Sequence, residues 1–210
     1  MTRIAVVDHG AGNLVSIAQG LRRSGAEVTV VDGPGRFDDC DGIVLPGVGT
    51  TGAAMRRLDA AGLSDPLREW PGPLLGICVG LQLFFDSSAE DGSHALGLIP
   101  GVVRELTDAP RLPHIGWNDV ALRPDPVFSG IDDGATFYFV HSYAPEPASD
   151  SVVIGTSIYG ASFTAAVRSG TRVGVQFHPE RSGAAGQRIV GKFVAECAEA
   201  PLSLIHISQP

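Results

Sequence analysis

Apolar positions along the first half of the chain follow two kinds of pattern. Short runs rich in Val, Ile and Leu predict strands, and segments with apolar residues every three or four positions predict helices. The predicted strands span residues 3–8, 27–32, 42–45 and 73–78, and the predicted helices end near residue 23 and span residues 52–61. The strand runs are apolar without interruption, which is typical of a parallel sheet that helices cover on both faces.

After residue 97 the pattern changes to strands with few helices between them. Strands are predicted at residues 101–106, 119–122, 136–140, 152–156, 163–168 and 171–176, followed by a helix at residues 184–199. Consecutive strands without intervening helices favour antiparallel pairing. We therefore expect an α/β fold: an open, mostly parallel sheet flanked by helices, with an antiparallel β extension.

We expect a single domain over residues 1–200, because neither a linker nor an internal repeat interrupts the pattern. The segment 201–210 is atypical, because a proline separates it from the closing helix and its apolar residues have no obvious partner. It is an edge strand, an interface segment or an extension foreign to the native protein, and no functional prediction includes it.

The most informative chemical feature is Cys78, which stands between Gly76 and Gly80 where an apolar run gives way to an amphipathic one. A strand that turns sharply into a helix would expose the thiol at the tip of the sheet, and such a turn requires small neighbours. The helix N-terminus would favour the thiolate, which is the nucleophilic form. A lone cysteine can instead be a small buried hydrophobe, but the Gly-x-Cys-x-Gly spacing favours a nucleophile.

A nucleophilic cysteine needs a general base, and His178 is the candidate among six histidines, since Pro179 and Glu180 follow it at the end of an apolar run. We expect extended backbone here, in which residues two apart share a face, so that the carboxylate lies beside the imidazole. Such a carboxylate fixes the ring tautomer and stabilises the charged ring. The sequence therefore predicts a Cys78–His178–Glu180 triad; an exposed strand end with two unrelated polar residues is the alternative.

Two glycine-bearing loops follow other predicted strands. The loop of Gly47, Val48 and Gly49 could aim backbone amides at an oxyanion, because glycine permits unusual backbone conformations; an ordinary turn is the alternative. The loop at residues 10–12 lacks the full Gly-x-Gly-x-x-Gly spacing, so a dinucleotide site is not favoured. Sites in open α/β sheets form where strands end and helices begin, which is where these loops and Cys78 fall.

Composition narrows the class of protein. The chain has 210 residues, of which 44% are hydrophobic and 18% charged, as is ordinary for a globular protein. A net charge of −8 without a dense Lys/Arg cluster argues against nonspecific nucleic-acid binding, and no apolar run approaches the ~20 residues of a membrane span. Three widely spaced cysteines suggest a reducing compartment with neither a disulfide framework nor a metal site, so we expect a cytoplasmic protein.

Taken together, these residues resemble the class I (triad) glutamine amidotransferases over nearly the whole chain. The runs at residues 76–82 and 176–180 are similar to motifs that the whole class shares. The segments at residues 8–13, 46–49, 114–118 and 138–143 resemble more specifically the glutaminase subunits of imidazole glycerol phosphate synthase, a family of histidine biosynthesis. The fold that this resemblance implies is flavodoxin-like.

The resemblance implies a two-part reaction that requires no metal or organic cofactor. A subunit of this family hydrolyses L-glutamine to glutamate and ammonia, with Cys78 as nucleophile, His178 as proton carrier and Glu180 as its partner. The ammonia passes to a synthase subunit, a (β/α)8 barrel, with which the glutaminase forms a heterodimer. The barrel converts a phosphoribulosyl-formimino carboxamide ribonucleotide into imidazole glycerol phosphate and an aminoimidazole carboxamide ribonucleotide.

The resemblance also implies how the substrate is held. The oxyanion is expected to bind the backbone amide of Val79 and one amide of the loop Gly47, Val48 and Gly49. Gln82 is expected to bind the α-amino or α-carboxylate end of glutamine. The backbone of Ser142 and Tyr143 would complete that pocket.

A regulatory role follows for the surface near the oxyanion loop. The residues expected to face or signal to the barrel partner are Asn13, His114, Trp117, Asn118 and Tyr138. Because a glutaminase that leaks ammonia wastes glutamine, the isolated subunit is expected to be nearly inactive. Glycines on both sides of Val48 would let that peptide unit rotate, so its amide could point away from Cys78 until the partner docks.

Three alternatives stay open at this point. A glutaminase linked to chorismate or pyridoxal metabolism is the runner-up. A cysteine hydrolase of the intracellular-protease type carries a histidine directly after the cysteine, whereas Val79 follows Cys78 here. A silent regulatory subunit need not keep all three residues of a triad.

Overall fold

The structure, a computed structural model, describes residues 1–10, 12–35, 37 and 39–200. The helices are α1 (Leu14–Arg23), α2 (Thr51–Ala60), α3 (Ser64–Glu69), α4 (Val79–Gln82) and α5 (Gly183–Glu199). The strands are β1 (Arg3–Val7), β2 (Glu27–Val31), β3 (Gly42–Gly47), β4 (Leu74–Cys78), β5 (Ser87–Ser88), β6 (Gly101–Glu105), β7 (His114–Asp119), β8 (Ala121–Leu122), β9 (Thr136–His141), β10 (Tyr143–Pro147), β11 (Val153–Tyr159), β12 (Ala161–Ser169) and β13 (Arg172–Val175). Single 3-10 turns lie at Pro126–Phe128, Asp150–Val152 and Pro179–Arg181.

The main sheet has eight strands in the order β2-β1-β3-β4-β13-β12-β11-β8. The first five pair in parallel, and the remaining pairs are antiparallel. This confirms the predicted open, mostly parallel sheet with an antiparallel extension. Because β13 inserts beside β4, both halves of the chain build one sheet, and a single domain over residues 1–200 stays a prediction. The segment 201–210 lies outside the described residues.

Two smaller sheets, β10-β6-β5 and β7-β9, pack near the antiparallel strands. The sequence pattern does not predict β5, β7 or β10, and it predicts one strand at residues 119–122 where the end of β7 is followed by β8. β7 contains Gly116 and Asn118, and β10 contains Pro145 and Pro147, all residue types that are depleted in strands. Pairing with a neighbouring strand overrides these local preferences.

Local sequence explains how the helices of the first half begin and pack. In α1, one face that includes Ile17 and Leu21 is buried, and Arg23 lies in the last turn, where a positive charge complements the helix dipole. α2 begins after Thr50, whose hydroxyl accepts a hydrogen bond from the Ala53 amide at 3.2 Å. α1 also packs against α5, so the first and last helices lie together.

The turn from β4 into α4 is strained and closely packed. Cys78, at this turn, has φ +54° and ψ −110°, a conformation that residues with side chains rarely adopt. A Cβ on Gly76 would lie 2.7 Å from the Gly80 carbonyl oxygen and 2.7 Å from Cζ of Phe84. A Cβ on Gly80 would overlap the carbonyl oxygen of Leu45 in β3. Both glycines are therefore required, as the predicted strand–turn–helix demands.

A charged cluster joins the antiparallel extension to the closing helix. Arg168 of β12 donates to both carboxylate oxygens of Asp125 at 2.7 Å and to those of Glu196 in α5 at 2.9 and 3.1 Å. Burial opposes the charge of Arg168, but the hydrogen bonds and charges of both carboxylates raise its pKa. The cluster therefore holds an arginine in its charged form between three elements.

Replacing Arg168 by methionine is expected to lower the free energy of unfolding by about 2–4 kcal/mol, because two carboxylates lose their partner and Asp125 is buried. The matched control is Arg104→Met, which removes an exposed ion pair with Glu146 and should cost less than about 1 kcal/mol. Urea unfolding followed by circular dichroism measures both variants. Equal losses would contradict the role assigned to Arg168.

Candidate active site

Three neighbouring parallel strands bring the predicted catalytic segments to one edge of the sheet. β4 ends at Cys78, and Gly47 at the end of β3 lies directly opposite Cys78 in the register. β13 flanks β4 on its other side and leads into His178. Because parallel strands end on the same edge, residues about 30 to 100 positions apart along the chain meet there.

The Cys78 side chain lies in a polar environment although it is only 3% exposed. Its sulfur accepts a hydrogen bond from Nε2 of Gln176 at 3.6 Å and lies 3.9 Å from the carbonyl oxygen of Val140. The sequence analysis did not identify Gln176 as a site residue. Its position two residues before His178, at the end of a buried strand, is the signal that could have found it.

His178 and Glu180 form the predicted imidazole–carboxylate pair. Nδ1 of His178 lies 2.9 Å from Oε1 of Glu180, and both side chains are almost completely buried. The expected extended backbone is wrong here, because β13 ends at Val175 and Pro179–Arg181 forms a 3-10 turn. Proline at the first position favours this turn, and the tight turn still brings the two side chains together.

The electrostatic environment of His178 favours a ring that carries a proton. Burial disfavours the charged ring, but interactions with the side chains of Cys78 and Glu180 outweigh it and raise the pKa of His178 to about 10. The other ring nitrogen, Nε2, is buried and makes no hydrogen bond of regular geometry with a described residue. The ring can therefore exchange a proton with the thiol while Glu180 stabilises its charge.

The backbone around His178 is fixed by hydrogen bonds from two directions. The His178 amide donates to the Tyr138 carbonyl at 2.9 Å, and the Ser182 hydroxyl donates to the His178 carbonyl at 2.6 Å. The same hydroxyl oxygen accepts from the Tyr138 amide at 3.0 Å. These bonds tie the base to β9, so the position of the ring depends on that strand.

The predicted oxyanion loop lies against the nucleophile turn. A Cβ on Gly47 would lie 2.9 Å from Cβ of Val79 and 3.0 Å from the Gly80 amide nitrogen, so glycine permits this approach. Val48 and Gly49 are exposed, and Gly49 has φ +90°. The loop is therefore beside Cys78, as predicted, and the use of its amides for an oxyanion stays a prediction.

His9 holds the strand that leads into this loop. It is buried, and its Nε2–H donates to the Pro46 carbonyl oxygen at 2.8 Å. A Cβ on Gly12 would make ordinary contact with the Pro46 ring at 3.5 Å. Asn13, which follows the loop after β1, was predicted to face the partner, but no role was predicted for the His9 side chain. Contact with Pro46 links the loop after β1 to the loop of Gly47, Val48 and Gly49.

A cleft of about 300 Å³, partly open to solvent, lies over Cys78. Its lining residues are Val48, Gly49, Cys78, Val79, Gln82, Glu90, Pro113, Val140, His141, Ser142 and Tyr143. All predicted oxyanion and substrate-binding residues line this cleft except Gly47, which is buried. The sequence analysis missed Glu90 and His141.

Glu90 adds a carboxylate to the wall of the cleft. Burial raises the pKa of this half-buried group, a hydrogen bond from the Thr51 backbone opposes that rise, and the neighbouring charge of Asp91 adds to it. Such a carboxylate complements a cationic group on a ligand. Glu90 lies in a polar loop without periodic pattern, so no sequence signal distinguishes it from a solvated surface residue.

The residues predicted to face a partner differ in how exposed they are. Asn13 and Trp117 are exposed, and Asn118 is half-buried and donates from Nδ2 to the Ile158 carbonyl at 2.9 Å. Tyr138 is half-buried, with the Arg181 guanidinium 4.1 Å from its ring centroid. His114 is only 3% exposed, so its side chain cannot lie on a docking surface; strand pairing turns it inward.

The described residues contain no group of three or more His, Cys, Asp or Glu side chains that could hold a metal ion. Cys40, Cys78 and Cys197 form no disulfide bonds. None of the helices that the structure describes is both long and apolar enough to cross a membrane.

Comparison with known proteins agrees with this geometry. The profile of the family Glutamine amidotransferase class-I matches residues 5–197. Imidazole glycerol phosphate synthase subunit HisH of Moorella thermoacetica is 45% identical over 198 residues, which cover 92% of this chain and 94% of that protein. Proteins of the same name from Xanthomonas axonopodis pv. citri and Xylella fastidiosa are 43% and 44% identical over 92% of this chain and 98% of each relative.

Solved structures share the fold at lower sequence identity. A structure of PurLQS from Thermotoga maritima has a TM-score of 0.70 and 19% identity, covering 92% of this chain and 97% of that one. A glutamine amidotransferase from the same organism has a TM-score of 0.64 and 17% identity, covering 97% of this chain and 88% of that one. Because the family profile spans nearly the whole sequence and the HisH proteins are similar over most of it, the chain belongs to the class-I glutamine amidotransferases.

Proposed function

We propose that this chain hydrolyses L-glutamine with a Cys78–His178–Glu180 triad and delivers the ammonia to an imidazole glycerol phosphate synthase partner in histidine biosynthesis. The observation that carries the proposal is a thiol on a strained strand–helix turn beside a buried imidazole–carboxylate pair. The similarity to HisH proteins supports the synthase branch over the chorismate-linked or pyridoxal-linked alternatives. The intact triad argues against a silent regulatory role.

The first half of the reaction acylates the enzyme. Cys78 gives its proton to His178, and the sulfur attacks the carboxamide carbon of glutamine to form a tetrahedral oxyanion. When the oxyanion collapses, the carbon–nitrogen bond breaks, and His178 donates its proton to the departing nitrogen. Ammonia leaves, and the glutamyl group remains on Cys78 as a thioester.

The second half regenerates the enzyme. A water molecule attacks the thioester carbonyl while His178 accepts one of its protons. The carbon–sulfur bond then breaks, glutamate is released, and the proton returns to the Cys78 sulfur. Glu180 stabilises the charged ring in both halves without taking the proton.

Different residues of the cleft would bind different parts of the glutamine substrate. The Val79 amide and one amide of the Gly47–Gly49 loop would donate to the oxyanion, because both segments adjoin Cys78. The Glu90 carboxylate would bind the α-ammonium group of glutamine by charge complementarity. Gln82 and the Ser142–Tyr143 backbone form the remaining polar wall. No step requires a metal ion or an organic cofactor.

The partner would be a (β/α)8-barrel cyclase in a heterodimer. Exposed apolar side chains support a docking surface around β7, where Ile115 is 60% and Trp117 is 57% exposed. The Trp117 ring lies 6.1 Å from the Tyr138 ring, and the Tyr138 backbone binds the amide of His178. Asn13 and Asn118 would complete this surface. A cytoplasmic location fits the substrates of such a reaction.

Replacing Cys78 by alanine or serine is expected to abolish glutamine-dependent synthesis in the assembled complex, because no nucleophile remains to form the thioester. Synthesis with high external ammonium should continue, because that chemistry belongs to the barrel. Steady-state rates with each nitrogen source measure this. Glutamine-dependent turnover in Cys78→Ala would refute the assignment.

Unequal losses are expected from the other two triad residues. His178→Ala deletes the proton carrier and should remove most of the rate, whereas Glu180→Gln should leave measurable activity. In Glu180→Gln the pKa of His178 should fall from about 10 towards its ordinary value, because one of the two groups that raise it is lost. Glutaminase kinetics and nuclear magnetic resonance titration test these points. A Glu180→Gln variant slower than His178→Ala would contradict them.

Glutaminase turnover is expected to rise by about a hundred- to thousandfold from the isolated chain to the complex with barrel and nucleotide, because rotation of the Val48 peptide unit would add an oxyanion donor. The rate would be measured for the chain alone, for the binary complex and for the ligand-bound complex. Equal rates in all three would rule out this switch.

Two glycine variants distinguish a specific effect of the Gly47–Gly49 loop on the stimulated rate from a general effect of backbone strain. Gly49→Ala should reduce the stimulated rate, because alanine resists the φ of +90° that the loop adopts. Gly170→Ala is the matched control: its φ is +59°, its surroundings are equally open, and it lies at the opposite end of β13 from His178. Equal effects on stimulation in both variants would exclude a specific role for the loop.

A further inference from the structure

Two buried histidines that the proposed reaction does not use lie beside the glutamine cleft. His114 begins β7 and His141 ends β9, and the antiparallel register places them directly opposite each other. They are 3% and 6% exposed. Nδ1 of His114 lies 3.3 Å from Nε2 of His141. Buried polar rings of this kind need a defined set of hydrogen bonds.

The hydrogen-bond partners fix where each ring carries its hydrogen. Nδ1 of His141 lies 2.9 Å from the Tyr143 carbonyl oxygen, and because a carbonyl only accepts, Nδ1 carries the hydrogen. Burial lowers the pKa of His141 to about 3; the bond to Tyr143 opposes this, and the charges of His114 and His178 add to it. Nε2 of neutral His141 therefore accepts, and His114 donates to it from Nδ1.

The Tyr143 carbonyl also receives a hydrogen bond from the other side. Nε2 of Gln82 donates to it at 2.9 Å, so both lone pairs of that oxygen are used. The second hydrogen on the same nitrogen points to Oε1 of Gln176 at 3.2 Å, and the Thr51 hydroxyl donates to Oε1 of Gln82 at 3.3 Å. Gln176 in turn donates to the Cys78 sulfur at 3.6 Å.

These bonds select one of two nearly isosteric orientations for each glutamine amide. If the Gln82 amide turned over, its oxygen would face the Tyr143 carbonyl, and two acceptors would meet. Turning over the Gln176 amide would likewise place an oxygen against the Cys78 sulfur. Donors from two sides therefore meet at the Tyr143 carbonyl: His114 donates to His141, which donates to this oxygen, and Gln82 donates to it from the other side. Gln82 also donates to Gln176, which places an N–H group on the reacting atom.

We propose that His141, held by His114, is a positioning residue for glutamine hydrolysis. Its Nδ1–H fixes the Tyr143 carbonyl, which keeps the Gln82 amide in the cleft wall and the Gln176 N–H on the Cys78 sulfur. The inference rests on the proposed role of Cys78 as nucleophile. It assigns to two histidines of the β7–β9 ribbon a function in the geometry of the site rather than in docking.

Packing alone is the competing explanation for these rings. The His114 ring stacks on the Tyr159 ring at 3.9 Å and on the Phe139 ring at 5.1 Å, and the His141 ring lies 5.0 Å from the Phe163 ring. A phenylalanine at position 141 would preserve ring packing and remove only the polar groups. An asparagine there would lose the ring but keep an N–H donor where Nδ1 stood.

The test compares His141→Phe and His141→Asn in the complete complex with barrel and nucleotide. The glutamine-dependent kcat/KM, divided by the ammonium-dependent rate of the same complex, should fall about tenfold in His141→Phe, because a buried acceptor loses its donor. His141→Asn should recover to within about threefold of the unmodified chain. Equal losses in both variants, or an unchanged ratio in His141→Phe, would overturn the inference.

A spectroscopic measurement tests the same point without activity. Long-range proton–nitrogen correlation of the unmodified chain at neutral pH should show His141 as a neutral ring protonated at Nδ1. A ring protonated at Nε2, or a charged ring, would overturn the proposal.

Cys78→Ala distinguishes a failure of the role assigned to Cys78 from a failure of the role assigned to His141. Glutamine turnover in that variant would refute both the role of Cys78 as nucleophile and the positioning role of His141. If Cys78→Ala is inactive and His141→Phe is fully active, Cys78 remains the nucleophile and only the positioning role of His141 is refuted.

Discussion

The close approach of α4 to the end of β3 is the constraint on which the active site depends. Gly80 lies so near the Leu45 carbonyl that no side chain fits, and Gly47 approaches Val79 with similar closeness. This packing holds Cys78 in a positive-φ conformation and places the oxyanion loop beside it. Since β13 flanks β4 in parallel, the segment carrying His178 reaches the same edge. Sheet order thus brings Cys78, His178 and the loop after β3 together.

Electrostatics then determines what this edge of the sheet can do. A carboxylate as deeply buried as Glu180 requires a partner, and His178 provides it at 2.9 Å. The ring is in turn stabilised in its charged form by Glu180 and by Cys78, against the effect of burial. Cys78 and Glu180 therefore both favour the charged ring of His178, and substituting either residue is expected to change the protonation of that ring.

A second, neutral polar layer lies on the other side of the thiol. Gln82, Gln176 and the Tyr143 carbonyl form a hydrogen-bonded set that continues into the β7–β9 ribbon through His141. The outer face of the same ribbon carries Trp117 and Tyr138, and the Tyr138 backbone binds the His178 amide. A force applied to this ribbon by a partner would reach both the base and the glutamine cleft through a few hydrogen bonds.

The sequence by itself determined the fold class and the strand–turn–helix at Cys78. These rest on local features: uninterrupted apolar runs and glycines at fixed offsets. It also paired His178 with Glu180, although the backbone that brings the two side chains together is a 3-10 turn and not the expected extended segment. Tertiary structure decided the features that depend on contacts between strands far apart along the chain. It paired glycine- and proline-containing β7 and β10 against their propensities, turned His114 inward, and replaced extended backbone after His178 with a 3-10 turn. Glu90 and His141 line the cleft over Cys78 only because of strand order and burial, which no local pattern encodes.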